Sequence, residues 1–381
     1  MHLKNLRLQC FRNHIDSTFE FNCRTNVLLG DNGHGKTNVI EAISYLCLTK
    51  SFYANGDSLV LNFGGDVFEI EGTVISDQDQ EYNIRVAYAD PQQEKIYTIN
   101  KHRIEPFSSV IGKFPLVICS PEHSPVTSAG PVERRKFVDF VISQSNNNYF
   151  QNLIEYRRIL KQRNKILFDG KAFRRDVSTT IAPWNEQLIE RGSYITVKRK
   201  EFVDEFKSFV QSAYLQAAVD NEKPTIEYRP ANNYGDITKQ DYVREIFRSI
   251  LLEKRGEEMK TGITPVGPHR DEFVFKINDL DLRKYASQGQ HKTFLIALKM
   301  GEFYYLKERC HETPIVLLDD IFSELDEKRS GKLLKFVETL NQTFITTTNP
   351  RLFTETKLDR DGRKIFYIIN GSIEDRVALQ A

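Results

Sequence analysis

Three patterns in the sequence predict an α/β fold: a mixed-sheet core with an antiparallel β-subdomain, split by an inserted helical lobe. The first is Gly30-Asp31-Asn32-Gly33-His34-Gly35-Lys36-Thr37, set between apolar Val27-Leu28-Leu29 and a following stretch with apolar residues at helical spacing. The second is a series of short alternating segments between residues 67 and 104, including Val67-Phe68-Glu69-Ile70 and Tyr82-Asn83-Ile84-Arg85-Val86. The third is a change of texture over residues 131–260, where long amphipathic stretches (132–168, 185–218, 240–258) replace the strand signals.

In chain order, Leu6, Leu8 and Cys10, then Phe19 and Phe21, alternate with polar residues and predict two strands before the glycine-rich loop. Residues 36–48 follow as a helix. Turn residues such as Asp77 and Asp79 divide residues 67–104 into an antiparallel meander. Phe114-Pro115-Leu116-Val117-Ile118-Cys119 is a buried strand running into Ser120-Pro121-Glu122. The helical stretch is interrupted by Gly170, Pro183 and Gly192, too often for one sustained coiled coil. Strands then return. Phe273-Val274-Phe275-Lys276-Ile277 and Leu280-Asp281-Leu282 flank Asn278-Asp279 as a hairpin. Residues 290–308 read as a helix and 315–320 as a strand with a helix beyond it. Thr343-Phe344-Ile345-Thr346-Thr347-Thr348 and Ile365-Phe366-Tyr367-Ile368-Ile369 close the core. The domains expected are 1–130 and 261–381, the two halves of one core, with 131–260 as the inserted lobe.

At 381 residues the chain can bury a large core. A net charge of +1 announces no nucleic acid by itself, and no apolar run reaches the roughly 20 residues of a membrane helix. Nor does the N-terminal stretch resemble a signal peptide, so the cytoplasm is the expected compartment. Five cysteines without a C-x-x-C pair argue against zinc or a disulfide framework and for reduced thiols in apolar surroundings.

The octapeptide at 30–37 has the form G-x-x-x-x-G-K-T. Its glycines let backbone N–H groups close on phosphate oxygens, and the helix N-terminus adds partial positive charge. Lys36 is placed to reach the β- and γ-phosphates of a nucleoside triphosphate, and the Thr37 hydroxyl to ligate Mg²⁺. Pro314-Ile315-Val316-Leu317-Leu318-Asp319-Asp320 is a buried strand delivering two carboxylates at its C-terminal end. Asp319 suits the metal, directly or through water, and Asp320 suits orienting or deprotonating the attacking water. Lys36 and Asp319 lie 283 positions apart, more chain than one compact nucleotide-binding domain needs, which is why an insertion is inferred. Ser287-Gln288-Gly289-Gln290 opens a helix with Ser287 as N-cap; capping alone would explain a lone match of this kind.

In this order the motifs resemble the head domains of ATP-binding-cassette ATPases. Ser287-Gln288-Gly289-Gln290 looks like their signature motif and Ser323-Glu324-Leu325-Asp326 like the loop after the acidic strand. Within that superfamily the match narrows to the RecF family of bacterial DNA-gap repair ATPases, with SMC-like heads. Its carriers are Phe11-Arg12-Asn13-His14, the octapeptide, Ser120-Pro121-Glu122, Arg134-Arg135-Lys136-Phe137-Val138-Asp139, Gly267-Pro268-His269-Arg270-Asp271, Ser287-Gln288-Gly289-Gln290 and the acidic strand with its following loop. The resemblance implies an ATP-dependent homodimer, head to tail, with two ATP between protomers. One protomer would supply residues 30–37, Asp319 and Asp320, the other Ser287 and Gly289. Arg12 and Asn13 would border the nucleotide, although an exposed turn accounts for them nearly as well.

Asp320 stands where transporter-type cassettes carry a longer Glu, which implies slow, switch-like ATP hydrolysis. The γ-phosphate sensor falls among Thr346, Thr347 and Thr348. The family further implies DNA repair, replication restart and the SOS response, on duplex and gapped DNA with single-strand junctions. Its partners would be RecO- and RecR-type mediators of RecA loading, with no membrane. Independently, residues 131–200 hold 15 Lys and Arg against 7 Asp and Glu, among them Arg157, Arg158, Lys161, Arg163, Lys165, Arg174 and Arg175. Such a face suits DNA phosphates or is simply solvated. Two other functions fit the nucleotide motifs: an ATPase subunit of a transport complex, and a scaffold that binds ATP without hydrolysing it.

Overall fold

A computed structural model describes residues 1–90, 92–217, 222–350 and 362–374. The elements, in order, are β1 (His2–Phe11), β2 (His14–Glu20), β3 (Thr25–Leu29), α1 (Lys36–Leu48), β4 (Val67–Ile75), β5 (Glu81–Ala89), β6 (Glu94–Ile99), β7 (His102–Arg103) and β8 (Leu116–Cys119). There follow α2 (Pro125–Ser128), α3 (Pro131–Ser145), α4 (Asn147–Phe173), α5 (Ser178–Ala217), β9 (Pro224–Arg229), α6 (Gln240–Glu253), α7 (Arg255–Thr261), β10 (Glu272–Ile277), β11 (Leu280–Asp281) and α8 (Leu282–Tyr285). The last are α9 (Gln288–Cys310), β12 (Ile315–Asp319), α10 (Glu327–Glu338), β13 (Thr343–Thr347), β14 (Arg363–Ile369) and β15 (Ser372–Glu374).

The chain divides into two compact units. One comprises residues 1–124, 213–220 and 295–381, the other 125–212 and 221–294. The first contains two sheets. An antiparallel sheet runs β2-β1-β4-β5-β6-β7, and a mixed sheet runs β15-β14-β3-β13-β12-β8. Within the mixed sheet β14, β3, β13, β12 and β8 are parallel, and β15 pairs antiparallel with β14. Strands β3, β12 and β13 are buried at every residue, which is why their apolar residues fall side by side rather than alternating with polar ones. Helix α1 touches strands of both sheets. It is buried on all sides except at Thr37 and Asn38, so the helix carries little amphipathic contrast.

The second unit is helical, with a small antiparallel sheet in the order β11-β10-β9. The Asn278-Asp279 hairpin forms as the sequence predicts, with φ of 50° and 65° at its two central residues, the left-handed pair that a tight hairpin turn requires. Its strands do not rejoin the α/β core, however. They pair with β9, a strand inside the stretch read as a helical insertion with few strand signals. Two predicted interruptions are also corrected. Pro183 and Gly192 both lie inside the 40-residue α5. Pro183 falls in its second turn, where one backbone bond is lost without ending the helix. At Gly192 a Cβ would come within 2.5 Å of Phe247 and 3.2 Å of Tyr156, so this glycine admits two aromatic rings against the helix. The long stretch 132–168 is instead broken at Asn146, whose side chain caps α4 by accepting from Tyr149 N–H at 2.9 Å.

Candidate nucleotide site

Strand β3 sits between β13 and β14 and delivers the loop at residues 30–37. At Gly30 a Cβ would meet the Ile368 carbonyl oxygen at 2.3 Å, so only glycine lets the loop leave β3 this close to β14. Gly33 and Gly35 have φ of 80° and 105°, the left-handed region. Asp31, Asn32 and Gly33 form an exposed crown. Gly35 is the N-cap of α1 and brings no side chain to its first turn; Asn38 N–H turns back to the Gly35 carbonyl, and the N–H groups of Lys36 and Thr37 are left for an anion. The Nδ1 atom of His34 is buried with no hydrogen-bond partner among the described residues, a second polar atom awaiting one.

Lys36 is 6% exposed, and its ammonium donates to the carbonyls of Gly30 at 2.9 Å and Asp31 at 2.8 Å. Burial lowers its pKa, opposed by the charges of Asp320, Asp319 and Asp31. A buried ammonium held by neutral carbonyls suits an anionic ligand. Register brings the rest together, because Asp319 of β12 faces Thr346 of β13. Asp319 Oδ1 accepts from the hydroxyls of Thr37 at 2.9 Å and Thr346 at 2.7 Å. Burial raises the Asp319 pKa, while these hydroxyls oppose the rise. Thr346 also accepts from the Asp320 N–H at 2.8 Å, pinning Asp320 in the left-handed region at φ 48°. A hydroxyl and a carboxylate in contact are hard oxygen donors and fit Mg²⁺, which takes few protein ligands and fills its shell from phosphate and water.

The turn before β2 supports the loop. His14 donates from Nε2 to the Gly35 carbonyl at 3.1 Å, and burial lowers its pKa, keeping it neutral. Asn13 accepts from Asn38 at 2.7 Å and packs on Gly35, where a Cβ would lie 2.5 Å from its Oδ1. Arg12, predicted to border the nucleotide, gives its guanidinium to buried Glu41 in two bonds of 2.8 and 2.9 Å and to the Leu59 carbonyl at 2.8 Å. Glu41 had no role in the sequence reading, and His14 entered it only as part of a motif. Of the candidate sensors, Thr346 bridges the acidic pair and Thr347 accepts from Asn349 N–H, while Thr348 is exposed. Asp326 caps α10 by accepting from Arg329 N–H at 3.0 Å, and Glu122 is exposed beyond β8.

Ser287, Gln288, Gly289 and Gln290 belong to the second unit. Ser287 caps α9 as predicted: its Oγ accepts from Gln290 N–H at 3.2 Å, and the Gln290 side chain accepts from Ser287 N–H at 2.7 Å. Elsewhere in this unit the basic face is smaller than the sequence count suggests. Arg163 is fully buried against Glu258, Asn185 and Thr264, and Arg134 is buried against Glu272. Neither is a surface cation. Two quoted motifs meet at Arg199, a residue absent from both. Its guanidinium donates to Asp139, Asp271 and the Pro268 carbonyl. The cysteines also depart from expectation, since Cys47 and Cys119 are buried but Cys10 and Cys23 are exposed. No helix among the described residues is long and apolar enough to cross a membrane.

Comparison with known proteins identifies the family. The RecF/RecN/SMC N terminal domain family matches residues 2–361. The DNA replication and repair protein RecF of Chloroherpeton thalassium is 41% identical over 361 residues, covering 94% of this chain and 97% of that protein. Its counterpart from Salinibacter ruber is 38% identical over 353 residues, covering 91% and 85%. A solved structure of the recombination mediator protein RecF-ATP in the RecFOR pathway superposes with a TM-score of 0.88 at 32% identity, over 98% and 97% of the two chains. The Smc head domain of Pyrococcus furiosus shares the fold, with a TM-score of 0.55 at 12% identity over 98% and 95%. The chain belongs to the RecF family of ATPase heads.

Proposed function

We propose that this chain is an ATP-dependent DNA-binding switch of recombinational repair and replication. ATP closes two copies head to tail on duplex or gapped DNA, and slow hydrolysis opens them. The observation that carries the reading is the convergence of Lys36, Thr37, Asp319, Asp320 and Thr346 around an open helix N-terminus. In it, the loop N–H groups and Lys36 bind the triphosphate. Thr37 and Asp319 would hold Mg²⁺, which supplies charge neutralisation at the β- and γ-phosphate oxygens. Asp320 orients or deprotonates the water that attacks the γ-phosphorus, and the bond broken is the β–γ anhydride. Ser287 and the N-terminus of α9 recognise the γ-phosphate of the partner's nucleotide, so binding energy for ATP becomes binding energy for the dimer.

DNA contact falls to the exposed cations of the helical unit. Arg157 and Arg158 are 60% and 61% exposed; Arg158 pairs with the exposed Glu155, a weak surface pair, and Arg157 reaches one oxygen of the buried Asp139, whose charge Arg199 already neutralises. In the RecFOR context of the solved relative, RecO- and RecR-type mediators and RecA loading in the cytoplasm complete the reading. The deciding experiment measures duplex binding at two salt concentrations, with and without a slowly hydrolysed ATP analogue. Binding should require the analogue and weaken with salt. The Ser287→Arg variant should bind the analogue yet stay monomeric. Nucleotide-independent DNA binding, or normal dimerisation by Ser287→Arg, would refute the switch.

A further inference from the structure

We propose that the outer face of the C-terminal half of α4, continuing to Arg175, binds unpaired nucleotides, with phosphates on its cations and a base against Phe168. This rests on the DNA reading above and adds the strand form recognised and the side chains that recognise it.

Three observations converge there. The first is charge without partners. Between residues 161 and 175 the surface carries Lys161, Lys165, Lys171, Arg174 and Arg175 against Asp169 alone, Arg163 being buried. Among the described residues none of these five has an ion pair, whereas Arg134, Lys136, Arg157 and Arg158 all do. Lys171 donates to the Thr261 carbonyl at 3.3 Å and keeps its charge uncompensated.

The second observation is aromatic surface left in water. Phe168 is 62% exposed and Phe173 66%, and the Arg175 guanidinium lies 5.6 Å from the Phe173 ring centroid. Lys161, Lys165 and Phe168 follow at i, i+4 and i+7, one stripe of α4 opposite the buried stripe of Tyr156, Ile159, Arg163 and Leu167. The third is concavity. A cleft of about 620 Å³ is lined by Lys161, Asn164, Lys165, Phe168 and the Gly262-Ile263 turn. Gly262 takes the left-handed φ of 77° that this turn needs and sits against the backbone of Phe168. Asn164 Oδ1 accepts from the N–H and hydroxyl of Thr264 at 2.9 and 2.6 Å, so what its side-chain amide has left to offer is N–H donors.

Cations, N–H donors and an exposed ring beside a cleft roomy enough to admit a base are the chemistry of a single-strand site. A duplex would satisfy the cations but leave Phe168 idle, because its bases are already stacked. An unpaired base can enter, and every base has a face to stack.

The test uses the full chain with the ATP analogue and three fluorescent probes: a blunt duplex, the same duplex with a thymidine gap, and oligothymidine. Phe168→Ala should weaken oligothymidine and gapped binding roughly tenfold and leave the duplex unchanged. Phe168→Trp should restore both. An abasic gap should bind wild type as weakly as a thymidine gap binds Phe168→Ala. Replacing Lys161 and Lys165 with Ser should lower the salt slope for oligothymidine by about 1.4, two phosphates at about 0.7 each. Unchanged oligothymidine affinity in Phe168→Ala would overturn the proposal. So would an equal loss on the duplex, or competition for the cleft by an acidic peptide without effect of oligothymidine. Failure of wild type to bind the blunt duplex would instead count against the broader DNA reading, which the oligothymidine arm reads separately.

Discussion

Two polar clusters, one in each unit, draw side chains from distant parts of the chain and are finished in opposite ways. In the first unit, Lys36 is held by carbonyl oxygens and Asp319 by hydroxyls, so buried charges meet neutral partners. In the second, Arg199 lies 3% exposed between two carboxylates, 2.9 Å from Asp139 and 3.2 Å from Asp271. Tyr149 donates to Asp139 at 2.6 Å and Tyr228 donates to Asp271. A buried charge closed by opposite charge has nothing left for a ligand and serves as scaffold. One closed by neutral dipoles still has its charge to give, and that is the mark of a binding site.

The largest effect should come from breaking the closed cluster. Arg199→Met leaves buried Asp271 without its cation and Asp139 with only the exposed Arg157, at a cost of about 3–5 kcal/mol in denaturant unfolding. Adding Asp271→Asn should recover part of this. A loss below about 0.5 kcal/mol, the size of an ordinary surface change, would mean that the network is not what holds α5 to the Pro268–Arg270 turn. Lys36→Ala should do the reverse. Its unfolding midpoint holds or rises, because an ammonium that burial disfavours is removed. Affinity for the ATP analogue falls by about 1.5–3 kcal/mol, the value of hydrogen bonds to a charged group. Calorimetric titration reads it directly, and wild-type affinity in the variant would remove Lys36 from the site.

This contrast explains what could be read from the sequence. The loop at 30–37 and the acidic pair announce themselves because local spacing and residue type are enough to specify a strand, a turn and a helix N-terminus. The register that sets Asp319 opposite Thr346 is a tertiary fact, and no local pattern encodes it. Charge counting failed at Arg163 and Arg134 for the same reason, since their partners Glu258 and Glu272 lie 95 and 138 residues away. Pro183 and Gly192 misled because they were read as breakers, whereas an early proline is tolerated and a glycine can be what close packing demands. Strand β9 did carry a signal, the alternation of Thr225, Ile226, Glu227 and Tyr228, but it was hidden among helical stretches.

A pH titration tests whether the closed cluster extends to its neighbour. His269 accepts from Tyr156 at Nδ1, 2.6 Å, and donates from Nε2 to the Thr264 carbonyl at 3.1 Å, which fixes the neutral ring. Burial lowers its pKa from 6.5 to about 4. The unfolded chain therefore binds a proton below pH 6.5 that the folded chain refuses. The stability from His269 is fully present above pH 6.5, declines as the pH falls toward about 4, and is flat below. Carboxylates titrate there too, so the measurement is wild type minus His269→Gln. The loss should be smaller than that of Arg199→Met, and parallel curves would show that His269 is protonated in the folded chain.

The smallest effect sharpens the open cluster. Thr346→Val keeps the shape of a buried β-strand residue but removes both its bond to Asp319 and the one it accepts from Asp320 N–H. Thr37 still donates to Asp319, so nucleotide affinity should change less than about twofold. Asp320 loses what fixes its left-handed backbone, and turnover should fall about tenfold, or 1.4 kcal/mol of barrier. Thr346→Ser, which keeps the hydroxyl, should turn over nearly normally. If affinity and turnover fell together, Thr346 would be serving the metal site as a whole. If neither moved, the carboxylate of Asp320 would be aimed without help from β13, and the difference between the two clusters would rest on Lys36 alone.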